Sequence, residues 1–506
     1  MEEIEELSDR LTEIAAGAGK TFFGDFFGKG LSYISQVVVA RLLGAQLFGL
    51  YALGLTVYKF TSLIAQLGLN NGIIHFVPKY QGNNNPQAAR GTVLSGLLLS
   101  FSAGVLLATG IYFSAPWVAE TIFNDASFAG VLRTYSFGIP FFALMMVALY
   151  STRAQKVMKY FVYVKNFQLP TLFLLMFALF YLFGLRLYGA VGAWVAATFI
   201  AGVTAIVLLR EVYPDLLSGS KTYEIPGLFK FSLPLVMVGA LQFLILWTDT
   251  FMLGALRTAT DVGLYRAAVQ TALLLGMVLR AFNSIFAPMI SDLHNRNELG
   301  TLNSLFKLTT RWIVILTIPL FVLLLVSGDS VLRIFGASFT VAWLPLILLG
   351  FAQLMDASMG PVGYILIMSG NERLEFRNVL AVGLLNVLLN YIMIPRFNMI
   401  GAALATGTSV VVVNLARLLE VDRVLNLWPY NRSFLKPLFG FILGAFSGLF
   451  WRFFGPELFY LFDILVGILL VGVVFFGTVF SLGLKEADKT ILMAGKKFIL
   501  DLLAPQ

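Results

Sequence analysis

Along almost the whole chain, apolar residues run in blocks of about twenty, each closed by a short polar or glycine-containing break. As a helix, a block of that length crosses the roughly 30 Å hydrocarbon layer of a bilayer while satisfying its own backbone hydrogen bonds. The pattern predicts about fourteen spans, at roughly residues 21–43, 47–77, 91–113, 130–150, 161–183, 187–209, 228–255, 262–289, 306–327, 340–368, 378–395, 399–420, 434–454 and 459–483. Continuous runs exclude a β-barrel, whose strands would alternate. Two flanking stretches read differently. Ile4, Leu7, Leu11 and Ile14 share one helical face opposite Glu3, Glu6, Asp9 and Glu13, and the tail from Lys485 on mixes Lys489, Lys496 and Lys497 with Ile491, Phe498 and Leu500. Both are expected to lie along the membrane surface.

Composition strengthens this picture. A chain of 506 residues that is 58% hydrophobic and only 12% charged, with a mean hydropathy of +0.85, is too apolar to be soluble. The net charge of +8 does not point to nucleic acid, because the basic residues stand singly between apolar runs. Most of the 35 Lys and Arg fall at the two ends or beside six alternate loops, whereas the other seven loops hold one each: Arg41, Arg133, Arg186, Arg257, Arg333, Arg396 and Arg452. By the positive-inside rule both termini are expected in the cytoplasm, with the protein in the cell (inner) membrane. The acidic start predicts no cleaved signal peptide. With no cysteine, thiolate chemistry and disulfides are excluded, and no cofactor or metal site is expected.

The chain looks duplicated. Trp247 to Ala268 ends one apolar run through Asp249 and Gly254, turns through Arg257, Thr258 and Asp261, and opens the next through Gly263 and Tyr265. Arg41 to Gly44, followed by Phe48, Gly49 and Tyr51, is a near copy, so Gly44 corresponds to Gly254 and Gly49 to Gly263. Ile122 to Phe128 and Val191 to Ala196 recur likewise at Ile334 to Phe339 and Ile400 to Ala405. A shift that spans six crossings preserves orientation, which predicts an all-α polytopic membrane protein of two parallel six-helix repeats plus two C-terminal helices. The expected limits are a surface segment at 1–20, an N-lobe at 21–212, a linker at 213–230, a C-lobe at 231–425, two further spans at 426–484 and a tail at 485–506. A monomer is expected.

Paired lobes of this kind leave a central cleft, and ionisable residues within spans belong in water or beside each other. The cations in that position are Lys29, Lys59, Arg266 and Arg280, and the acids are Asp25, Asp249 and Asp356. Lys and Arg together suit a cargo of concentrated negative charge such as phosphate. Blander readings stand beside this one. Asp25 and Lys29, at i and i+4, either neutralise one another or meet cargo; Lys59 either snorkels or faces the cleft. Arg266 lies near enough the outer surface to reach water, Asp249 is placed to clasp Arg257 or Arg266, and His75 reads as a solvated boundary residue. Asp356 has no cation within a helical turn and reads as protonated, paired across the cleft, or a coupling site. Prolines 140, 170, 234, 288, 319, 345 and 361 are expected kinks.

The run Phe231 to Pro234, with Asp249 to Gly254 and Val262 to Ala268, resembles the seventh and eighth spans of the polysaccharide flippases. Val39 to Gly44 with Phe48 to Tyr51 resembles their first span and its exit. That family lies in the multidrug, oligosaccharidyl-lipid and polysaccharide exporter superfamily, beside the lipid II flippases and the multidrug and toxin extruders. The resemblance implies alternating-access transfer of a polyprenyl-diphosphate-linked sugar from the inner to the outer leaflet. Lys29 matches a basic position of the lipid II branch, but Ser35 and Gln36 stand where that branch is charged, so a polysaccharide precursor is the expected cargo. Sugar contacts are expected among Tyr33, Gln36, Tyr58, Gln242, Gln270, Asn283 and Gln353, and the partners are membrane lipids, the lipid-linked glycan and polysaccharide-assembly proteins. An inside-negative membrane favours outward movement of anionic cargo by roughly 2.3 kcal/mol per charge per 100 mV, so ion coupling is not required. The alternatives are a sodium- or proton-coupled multidrug extruder using Asp25 or Asp356, a lipid II flippase, and a membrane enzyme. The last is disfavoured because the longest outer connection, from about Ser114 to Ala129, carries only Glu120 and Asp125 as acids.

Overall fold

Apolar blocks broken by glycine, asparagine and proline become helices almost end to end. The computed structural model describes residues 2–456 and 459–483, with side chains from Phe27 onward, and among these residues it contains helices and no strand. The surface faces expected within residues 1–20, the side chain of Asp25, and the tail from 485 lie outside the described residues. In order the helices are α1 (Glu2–Ala65), α2 (Leu69–Gly82), α3 (Pro86–Trp117), α4 (Phe128–Ser136), α5 (Ile139–Ala154), α6 (Lys159–Phe161), α7 (Leu169–Leu182), α8 (Arg186–Val212), α9 (Ile225–Leu256), α10 (Ala259–Asn295), α11 (Leu299–Arg333), α12 (Trp343–Met359), α13 (Val362–Met368), α14 (Glu372–Leu425), α15 (Leu435–Phe454) and α16 (Tyr460–Ser481). A π-wound segment, Val162–Gln168, joins α6 to α7.

Among the described residues, eleven helices are long and apolar enough to cross a membrane, or twelve if α4 and α5, bent by 42°, count as one span. The expected number is fourteen, and two stretches are long enough for more than one crossing. The stretches Phe27–Gly82 and Glu372–Leu425 run for 56 and 54 residues, more than twice the roughly 20 of one crossing. The second carries a positive φ at Asn398 (φ 52°, ψ −132°), and the first carries one at Gly44 (φ 74°, ψ 171°) and two more at Leu67 and Gly68, between α1 and α2. Glycine and asparagine tolerate that region best, so the chain turns there without a loop that hydropathy would reveal.

Of the seven prolines expected to kink helices, Pro234, Pro288 and Pro319 lie inside α9, α10 and α11. Pro140 and Pro170 instead open α5 and α7, where a missing N–H costs nothing. Pro345 lies in the first turn of α12, and Pro361 precedes α13.

The chain forms two units, Met1–Arg266 and Ala267–Gln506. In the first, α3 packs on α2, α4 and α5, α8 on α5 and α7, and α9 lies along α1 and α2. The α9 contact depends on absent side chains: a Cβ on Gly68 or Gly72 would come within 2.2 Å of the Ser232 carbonyl or hydroxyl oxygen. The first turns of α10 approach α1 in the same way. A Cβ on Gly49 would sit 1.7 Å from the Ala259 oxygen, and one on Gly263 would sit 2.0 Å from the Ala45 oxygen. The two glycines that correspond in the repeat therefore face each other backbone to backbone.

Before α9 the chain is tied down by Thr222 N–H donating to the Gln87 carbonyl at 3.1 Å and by Arg90 against Asp215 at 3.8 Å. Tyr213 donates to the Ser151 carbonyl at 3.3 Å, and burial pushes its phenol up to about 12, so this bond persists at ordinary pH. In the second unit, α11 packs on α12, α15 and α16, and α14 packs on α12 and α13. Arg452 fastens α15 to α11 through Asp329 at 3.4 Å and the Val326 carbonyl at 2.7 Å, its guanidinium 5.0 Å from the Trp343 ring centre.

Candidate functional site

In the first unit the cations converge on tryptophan. Lys59 of α1 holds its ammonium 4.9 Å from the ring centre of Trp247 in α9 and 5.8 Å from that of Trp194 in α8. Arg266 of α10 lies over the same Trp247 at 4.1 Å. One indole thus serves two positive charges, and Phe243 stacks on it at 5.6 Å. Lys59 has no carboxylate within ion-pair distance among the described residues, and the nearby Arg266 and Lys165 repel it.

Arg266 is compensated differently. Asp249 attracts it and accepts a 2.7 Å hydrogen bond from Tyr265, while Arg266 itself reaches Thr250 at 3.5 Å. Only 7% of Arg266 is exposed. The expectation that it reaches water fails because Trp247 covers its guanidinium.

Lys29 stands exposed on α1, next to Gly28, whose face abuts Asn166 of the π-wound segment. That segment also carries Lys165, which sequence reasoning did not single out; a π winding leaves no mark on hydrophobic periodicity. Of the expected sugar contacts, Tyr58 is 1% exposed. It is packed against Tyr135, Phe142 and Trp194, and donates to Gly138 and Thr198. It belongs to the core, because its ring fills the space between α1, α5 and α8.

The second unit places Arg280 and Asp356 in electrostatic contact. Arg280 is exposed, donates to the Leu273 carbonyl at 2.9 Å, and lies beside the Gln353 amide where that amide meets Gly276. Asp356 accepts from Asn414 at 2.8 Å, and Asn414 in turn accepts from Arg417 at 3.2 Å. Arg417 is held by both oxygens of Glu375. Asp356 thus has cations after all, Arg417 on α14 and Arg280 on α10.

Because this ion pair is largely buried, breaking it from one side should cost about 3 kcal/mol. Glu375→Gln and Arg417→Gln are each expected to lower the thermal midpoint of the purified protein by several degrees, and the double variant by clearly less than the sum. Additive losses in that double-mutant cycle would show that the two side chains act separately.

The comparisons with known proteins fit this architecture. Agl15 of Haloferax volcanii, a probable low-salt glycan biosynthesis flippase, is 29% identical over 164 residues. That alignment covers 32% of this chain and 35% of the relative, so the chain spans about a third of that relative's length. The lipid II flippase MurJ in an inward closed conformation superposes with a TM-score of 0.71 at 16% identity, over 89% of this chain and 97% of that one. An inward-facing multidrug resistance transporter of the MATE family gives 0.62 at 13% identity, over 79% and 94%. At these identities the likeness is one of fold. A family model described as polysaccharide biosynthesis protein matches residues 14–294, more than half of the length, and the chain belongs to that family.

Proposed function

We propose that the chain is a flippase that moves a polyprenyl-diphosphate-linked oligosaccharide, a precursor of cell-surface polysaccharide, from the inner to the outer leaflet by alternating access. In this reading the protein crosses the membrane fourteen times with both termini in the cytoplasm, and acts as a carrier rather than an enzyme. The observation that carries the proposal is Lys59, a cation within the helical unit that has indoles for neighbours and no carboxylate. A charge at such depth costs about 3 kcal/mol, and a cation–π contact returns about 2 kcal/mol when desolvated. The arrangement is poor as a device for stability. It makes sense as a site completed by an anion, with Lys59 contacting phosphate and the exposed Lys29 a further contact in the same unit, and with Arg280 a separate candidate in the second unit.

A sodium- or proton-coupled drug extruder is the second reading, favoured by the multidrug fold neighbour. Against it, Asp356, one of the two carboxylates that reading would use, already accepts a hydrogen bond from Asn414. The test is replacement of the native flippase in a cell that accumulates lipid-linked glycan on the inner leaflet. The chain is expected to clear that pool and restore surface glycan. A persistent pool, together with ion-dependent efflux of lipophilic cations, would establish the second reading instead.

A further inference from the structure

We propose that the second unit carries a separate site for the phosphate of an anionic membrane phospholipid. It lies where the end of α10, the start of α11 and the segment before α15 enclose a cavity of about 560 Å³, a size suited to a small head group. The walls are of two kinds: Leu293, Leu305 and Leu308 form an apolar side, whereas Lys307, Arg311 and Asn431 bring hydrogen-bond donors.

One charge on the wall, that of Lys307, lacks a counter-charge among the described residues. Its acid, Asp292, is taken up by Arg296 at 3.0 Å. Lys307 has no carboxylate within ion-pair distance among the described residues, and Arg311 is 5% exposed. A cavity that is cationic on one side and hydrocarbon on the other matches a ligand that is anionic at one end and apolar at the other. Free phosphate would leave the leucine wall uncovered, whereas the glycerol and first methylenes of a phospholipid would cover it.

Position favours the same occupant. The cavity lies where α10 ends and α11 begins, the level at which a spanning helix meets head groups, and basic pockets there attract anionic lipid. The segment carrying Asn431 is already docked: Trp428 N–H donates to Asn303 and the Tyr430 hydroxyl to the Ser358 carbonyl, both at 3.2 Å. A lipid phosphate shared by Lys307, Arg311 and Asn431 would brace that segment against α11, making the stability of the second unit depend on the surrounding lipid.

The test uses the purified full chain in nanodiscs of phosphatidylcholine, with or without phosphatidylglycerol, reading thermal unfolding and the lipid retained in native mass spectrometry. Phosphatidylglycerol is expected to be retained and to raise the thermal midpoint, and inorganic phosphate alone to leave the midpoint unchanged. Lys307→Glu should retain about fivefold to tenfold less phosphatidylglycerol, with an unchanged midpoint in phosphatidylcholine. Lys307→Gln, which keeps the side-chain length, should rank between Lys307→Glu and the wild type. Equal retention by wild type and both variants, or a rise in midpoint reproduced by inorganic phosphate, overturns the proposal.

Discussion

Replacing Lys59 by methionine should leave the protein at least as heat-stable as the wild type and nearly inactive. The two effects have one cause. Lys59 is a half-buried cation beside Trp247 and Trp194, repelled by Arg266 and Lys165. An apolar side chain of similar length removes the desolvation cost and keeps the packing. It also removes a charge-assisted contact to the cargo's phosphate, worth about 2–3 kcal/mol, or roughly a hundredfold in rate if that contact is made during transfer. Lys59→Arg should retain part of the activity, and Lys59→Glu should have none. If Lys59→Met lost stability and activity together, Lys59 would be a structural residue; if it kept full activity, the phosphate contact would lie elsewhere.

A second large effect is expected where α1 meets the first turns of α10. Gly263→Val should yield little or no monodisperse protein, because its Cβ would stand 2.0 Å from the Ala45 oxygen and 3.0 Å from the Gly49 nitrogen, both backbone atoms. No rotamer relieves a clash with backbone, so the helices must separate, at a cost above the about 1–3 kcal/mol of ordinary overpacking. Small residues at such crossings let helix backbones touch, which is how membrane helices gain packing energy without a hydrophobic drive. Gly110→Ala is the matched control. Nothing lies within 4 Å of its Cβ, and a helical glycine exchanged for alanine gains about 0.5–1 kcal/mol. Size-exclusion profiles of the two variants give the comparison, and a well-folded Gly263→Val would refute the close approach.

Much of this architecture could be read from apolar run length and residue spacing. Runs of about twenty apolar residues admit only helices in a bilayer, and the correspondence of Gly49 with Gly263, found from spacing alone, marks a real crossing of helices. What escaped the reading depends on three-dimensional placement. Gly44 and Asn398 break long helices with a single residue each, so no polar loop announces them. Asp356 looked solitary because its partner Asn414 lies 58 positions away on α14. Trp247 opens one copy of the duplicated stretch, yet its role appears only when α1 and α10 bring Lys59 and Arg266 to the same ring. Tyr58 misled in the other direction: expected among the sugar contacts, it is 1% exposed and belongs to the core.

The account stands on an anionic cargo being carried through this protein, and leaflet-resolved transfer tests that most directly. Purified chain in vesicles bearing a fluorescent polyprenyl-diphosphate oligosaccharide should move the glycan to the opposite leaflet far faster than empty vesicles or vesicles with Lys59→Glu. Equal rates in all three would contradict it.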